Sequence, residues 1–308
     1  MRTHLRRSGV GLAAVAACMA AVVGCSSGGD GASGGGGAGD GGLDGALRAV
    51  PASAGGTTVI YVDVRSARDL VKNDNKLYAN FASYLVPEFD QFRPESGESL
   101  KDVYGFDEGD LTATLTVGDS AQRLTGDFDP DAVSKAFARR DYRAEKTDYG
   151  VHLRPGEGRD AKVSEDAVVF GEAENVLSPA PVGGKTVADD PSYRAVSECL
   201  GAKVYQASFF GKDKNADATL IAIGGQISED GTPTETLCVA ARSEAAAGNL
   251  RSKLREKTAA GERYAGSEVE VTGASLPIVS MTWKNSAKSG MRPADELKIL
   301  DLPLLLRK

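Results

Sequence analysis

Leu111-Thr112-Ala113-Thr114-Leu115-Thr116-Val117 alternates apolar and polar residues without a break, and Gly118-Asp119-Ser120 follows at once. A period of two puts Leu111, Ala113, Leu115 and Val117 on one face of a half-buried strand. The Gly-Asp-Ser cluster then turns the chain back into a second strand that runs to Gly126. Asp129-Pro130 opens a helix, with Asp129 as N-cap, Pro130 in the first turn and Val133, Ala136 and Phe137 facing inward. Further strands are expected at 150–154, 161–164 and 167–171.

Downstream the order returns. Ala218 to Ile227 reads as a strand, Asp230-Gly231 as a hairpin turn and Glu235 to Ala241 as the partner strand. Ser243 caps a helix whose apolar face is Ala246, Leu250 and Leu254, and strands follow at 269–272 and 278–284. The spacing predicts two similar hairpin-helix-hairpin units, 101–200 and 201–285, with helical stretches at 173–177 and 191–200 between them and a short helix after Pro293. Short strand-to-strand links dominate, so the expected class is α+β, a mainly antiparallel sheet with packed helices.

On the N-terminal side, Thr57 to Val64 is β-branched and reads as the first strand, followed by a helix over 66–72. Leu77, Phe81, Tyr84 and Leu85 then recur at helical spacing up to Pro87. Tyr78, Phe81, Tyr84, Phe89 and Phe92 crowd into one short stretch, which reads either as a core helix or as the wall of an apolar groove whose tyrosine hydroxyls reach water.

The chain begins differently. Arg2, Arg6 and Arg7 precede an apolar run from Val10 to Val23, shorter than the ~20 residues that span a bilayer, and Val22-Val23-Gly24-Cys25 closes it. These residues resemble a lipobox. The Gly/Ser-rich tract behind them, the Ala- and Asp-rich body and phrases such as Leu124-Thr125-Gly126-Asp127-Phe128-Asp129 resemble the lipoproteins of high-GC actinobacteria. The resemblance implies a signal peptide over 1–24, diacylglycerol on the Cys25 thiol, acylation of its freed amine, and attachment to the outer face of the cytoplasmic membrane. It implies no catalytic or ligand-binding residue, and Arg6-Arg7 leaves Sec and twin-arginine export both open. Residues 25–45, nearly all Gly, Ser, Ala and Asp, read as a flexible tether, and 46–308 as the globular region.

Loss of the leader removes three Arg and no acid, taking the net charge from −7 to −10. Such a surface disfavours nucleic acid as a partner. Cys18 leaves with the leader and Cys25 is lipidated. Cys199 and Cys238 remain, either bridged, as an even pair outside the cytoplasm suggests, or as two separate buried thiols.

The catalytic motifs fail one by one. His152 is the single histidine after the leader, and alternation in Val151-His152-Leu153 puts it on a surface face, so neither a zinc cluster nor a Ser-His-Asp triad is supported. Asp127, Asp129 and Asp131 resemble the start of a calcium loop, but Ala132 and Ala138 stand where glycine and glutamate are required. Gly184-Lys185-Thr186 lacks the earlier glycine of a phosphate loop, with Pro179 in its place. Trp283, alternating with Val279 and Met281, reads as core. No cofactor is expected.

The function expected from these residues is a lipid-anchored, non-catalytic envelope module that binds a small apolar ligand or an envelope protein. A carboxylate-dependent hydrolase, which needs only two acids, and a solute-binding transport subunit, which would favour two parallel α/β lobes, are the alternatives. Cys25→Ser is expected to leave the chain uncleaved or to release it from the membrane fraction, because stable anchoring takes more than one acyl chain. Membrane fractionation with intact-mass analysis checks this, and a correctly cleaved Cys25→Ser chain retained on the membrane contradicts it.

Overall fold

The computed structural model describes residues 42–78, 98–119, 121–156, 159–171, 177, 183–213, 216–259, 262–273, 275–286 and 292–307. In chain order the elements are α1 (Leu43–Arg48), β1 (Thr58–Asp63), α2 (Val64–Asn73), α3 (Leu100–Tyr104), β2 (Leu111–Val117), β3 (Ala121–Gly126), α4 (Pro130–Ala138), β4 (Arg143–Thr147), β5 (Gly150–Arg154), β6 (Ala161–Val163) and β7 (Ala167–Phe170). They continue with α5 (Pro191–Leu200), β8 (Val204–Phe210), β9 (Ala218–Ile227), β10 (Pro233–Ala241), α6 (Glu244–Ala259), β11 (Glu268–Thr272), β12 (Ile278–Lys284), α7 (Asp295–Ile299) and α8 (Asp301–Leu306).

All twelve strands join one antiparallel sheet in the order β11-β12-β10-β9-β8-β1-β2-β3-β7-β6-β5-β4. The expected α+β class with a mainly antiparallel sheet is therefore present. The strands of segments 101–200 and 201–285 lie in this sheet on either side of β1. In the first, β2-β3 leads through α4 to a return that ends with β7 beside β3. In the second, β9-β10 leads through α6 to β12 beside β10. The returns differ, four strands against two.

Helices cover both faces. On one, α1 and α5 lie over a core that includes Val59, Tyr61, Leu115, Val117, Ala207, Phe209, Leu220 and Ala222. On the other there are two cores. Val62, Leu111, Leu124, Leu153 and Val168 pack with α2, α3 and α4, while Ile221, Ile223, Leu237, Val239, Val279 and Met281 pack with α6 and α8.

Local chemistry sets the element ends. Asp129 caps α4 by accepting from the backbone N–H groups of Asp131 and Ala132, and the Ser243 hydroxyl accepts from Ala246 N at the start of α6. Gly105 ends α3 at φ 82°, where a Cβ would come within 2.6 Å of the Ala132 carbonyl oxygen, so glycine is required on both conformational and steric grounds.

Three expectations need correction or extension. The strand from Leu111 to Val117 does not keep one face inward, because a register shift between Leu111 and Ala113 turns Leu111 to the face opposite Leu115 and Val117, as a bulge does. His152 is on the face opposite Leu153 but is buried, 5% exposed. It is flanked across the strands by Glu145 and Lys162, and its Nε2 pairs with Asp160 at 2.8 Å. Leu43 to Gly45, inside the expected tether, belong to α1, whose Leu43 and Leu47 are buried.

Cys199 at the end of α5 and Cys238 in β10 form a disulfide, 39 residues apart in sequence and with Cα atoms 6.1 Å apart. The bridge ties the helix that covers the central strands to the second half of the sheet. Closing a loop of that length stabilises by about 4 kcal/mol in the chain-entropy model. A Cys199→Ala/Cys238→Ala variant is expected to lose about that much against urea, as equilibrium denaturation would show.

Candidate functional site

The cores on the two-core face meet over the middle of the sheet, and the residues between them are polar. Cross-strand register lines up Leu124, Thr114, Val62, Gln206, Gly225, Glu235 and Trp283 in one row. The adjacent row runs Thr116, Ile60, Ser208, Ile223, Leu237 and Met281. Gln206 and Ser208 thus stand next to each other on β8, 2% and 1% exposed. Among the described residues, neither atom of the Gln206 carboxamide has a hydrogen-bond partner, nor does the Ser208 hydroxyl. An unpaired buried polar group costs about 1–3 kcal/mol, so two such side chains in mid-sheet call for a partner that completes them.

A bulge shapes the spot. The register of β8 shifts between Val204 and Gln206, so Tyr205 shares this face with Gln206 and lies over Gly225, where a Cβ would come within 2.7 Å of the tyrosine ring. Tyr78 meets Tyr205 edge-on, with ring centroids 6.2 Å apart. Burial raises the pKa of both phenols, to about 12 for Tyr78 and well above the ordinary value for Tyr205. Both remain neutral donors at physiological pH.

Beside them lies Glu235, 1% exposed. It accepts from Trp283 Nε1 at 3.1 Å and from the backbone N–H of Ala294 at 2.9 Å. The Asn285 carboxamide is close by without reaching hydrogen-bond geometry. Desolvation, with a smaller push from Glu296, raises the Glu235 pKa to about 7. Glu296 is fully buried and accepts from the Tyr264 hydroxyl, from Leu302 N at 2.6 Å and from Arg263 at 3.1 Å, and desolvation raises its pKa too. Glu235 thus ties Ala294 to β10 and β12, and Glu296 ties the same segment to Arg263 and Tyr264; the segment has two left-handed non-glycine residues, Ala294 at φ 68° and Leu300 at φ 56°.

Of the residues that sequence singles out, Tyr78 is in this site, 3% exposed and part of the core. Phe81, Tyr84, Phe89 and Phe92 lie outside the described residues, as do Cys25 with its leader and the helix expected over 173–177 apart from Leu177. Trp283 is buried as expected. Gln206, Ser208 and Glu235 as site residues were not anticipated. The signal was present in Val204-Tyr205-Gln206-Ala207-Ser208-Phe209-Phe210, where two polar residues two apart interrupt an apolar run. Among the described residues, no group of three or more His, Cys, Asp or Glu is placed to hold a metal, and no helix is long and apolar enough to cross a membrane. Glu235 and Glu296 are shut from solvent and engaged by protein donors, so their present arrangement serves the fold. One antiparallel sheet also differs from the paired parallel lobes of a solute-binding subunit.

No protein-family model and no curated protein matches the chain. Among solved structures, crystal form I of TP0453 is similar over 80% of this chain and 95% of its own, with a TM-score of 0.40 and 12% identity. That degree of likeness carries no functional argument.

A carboxyl whose folded pKa is raised binds its proton more tightly folded than unfolded, so its effect on stability is most favourable below about pH 4.5. That contribution declines as pH rises to about 7. Glu235→Gln cannot ionise but gives up one of the two acceptor oxygens used by Trp283 and Ala294, so at pH 5 it is expected to lie ~1–3 kcal/mol below the parent in urea stability. At pH 8 it is expected to gain on the parent by up to ~3 kcal/mol. Denaturation curves of both proteins at the two pH values check this.

Proposed function

We propose that this chain is an exported, lipid-anchored envelope protein whose folded part is a binding module for a small amphipathic molecule. The apolar body of that molecule packs between the two cores, and its amide, carbonyl or hydroxyl head completes Gln206 and Ser208. The observation that carries the reading is the pair of buried, unpartnered polar side chains in mid-sheet. The carboxamide offers a donor and an acceptor, the hydroxyl either role, and neutral Tyr78 and Tyr205 supply aromatic walls.

Anchoring rests on the lipobox residues that end at Cys25. The Cys199–Cys238 bridge agrees with folding in an oxidising compartment.

Gln206→Leu separates an occupied site from an empty one by sign. With a ligand, native mass spectrometry of protein isolated from its own membranes is expected to show a bound molecule, and Gln206→Leu to reduce its occupancy at least tenfold, since a lost buried hydrogen bond with its partner left unpaired costs about 1–3 kcal/mol. Protein that carries no adduct, together with a Gln206→Leu variant more stable than the parent by about 1–3 kcal/mol, would overturn the reading.

A further inference from the structure

The two edges of the sheet are unlike. At one end β4, Arg143-Ala144-Glu145-Lys146-Thr147, exposes charge along nearly its whole length, the usual protection of an edge against foreign strands. At the other end β11, Glu268-Val269-Glu270-Val271-Thr272, carries its exposed charges, Glu268 and Glu270, on one face only. Val269 and Val271 share the face that carries α6, and Val271 is 40% exposed. A groove of about 660 Å³ runs between this strand and α6, lined on the helix by Arg251, Arg255 and Thr258. These three are one stripe of the helix, spaced four and then three residues apart. Two polar atoms of the groove's lining residues are buried without a hydrogen-bond partner among the described residues, Nε of Arg251 and Oγ of Ser267.

We propose that β11 is a docking edge, which takes up an extended segment of a partner protein as a thirteenth strand with that segment's carboxylates turned toward Arg251 and Arg255. Charge complementarity fixes the occupant. Neighbouring side chains on one helix stripe are ~5–6 Å apart, and alternate side chains of a strand ~6.6 Å apart, so acids at positions i and i+2 of the segment reach both guanidiniums. Its other row meets Glu268, Glu270 and Thr272 and is therefore basic or neutral. A second copy of this chain fits poorly. Full antiparallel overlap of two β11 strands with their faces matched sets Glu270 against Glu270 and brings both arginine stripes to one side, and like charges directly opposite destabilise a pair.

The test uses the full chain and the synthetic peptide Thr-Asp-Lys-Asp-Lys-Val-Thr, capped at both ends, whose alternate side chains form one acidic-apolar row and one basic row. Binding by fluorescence anisotropy, with slowed hydrogen exchange at the amides of Val269 to Val271, is the expected result. Arg251→Glu/Arg255→Glu, and the single exposed change Arg255→Glu, are each expected to weaken binding at least ~10-fold. Replacing the second Asp of the peptide by Pro should do the same, since Pro cannot donate to the ladder. Matching denaturation midpoints show that the variants remain folded. The proposal is overturned by a peptide that fails to bind, by binding that leaves the β11 amides unprotected or ignores the charge changes, or by Glu270→Cys chains, whose thiols face each other in the self-paired register, that cross-link to one another in solution.

Discussion

Every strand near the middle of this sheet is buried on both faces, and that constraint governs most of the molecule. Val204–Phe210 has no exposed residue, and Val59 and Tyr61 of the neighbouring strand support one core while Val62 supports another. Such strands cannot be half apolar and half polar, so helices must cover both sides, and α5 on one face and α2 and α6 on the other do so. Any polar group left in the middle has no solvent to turn to. This is why Gln206, Ser208 and Glu235 stand out, whereas the same residues near the rim would not.

The same constraint decides what could be read from sequence. Strands 111–117, 218–227 and 278–284, helix 191–200 and the helix starts at 130 and 244 agree with the structure, because alternation, capping and turn residues act locally. β8 escaped notice because a strand buried on both sides has no alternation, and β4 because an edge strand of polar residues has no apolar pattern. Leu111 was assigned to the wrong face because a bulge is a property of two paired strands, invisible in either one. His152 obeyed its alternation and was still buried, since cross-strand neighbours rather than its own position set its exposure.

The candidate site was legible only in fragments. Tyr78 drew attention through aromatic density, and its partner Tyr205 is reached only through the sheet. Gln206 and Ser208 are ordinary in sequence, and what marks them is the lack of a partner, which only three-dimensional packing can establish. Glu235 and Glu296 come from distant parts of the chain and share one task, fixing a C-terminal segment with two strained backbone positions.

The β1–β8 pair also has a consequence in time. During synthesis Thr58–Asp63 emerges early and can pair with β2 on one side, but its other side waits for Val204–Phe210, made far later. Until then a Thr-Val-Ile-Tyr-Val strand presents bare peptide groups to any neighbour, the situation in which chains mispair and aggregate. Contacts this distant in sequence also form slowly. The centre of the finished sheet thus cannot close until its whole first half has been made, and until then a nascent chain is open at a place where the mature protein is deeply buried.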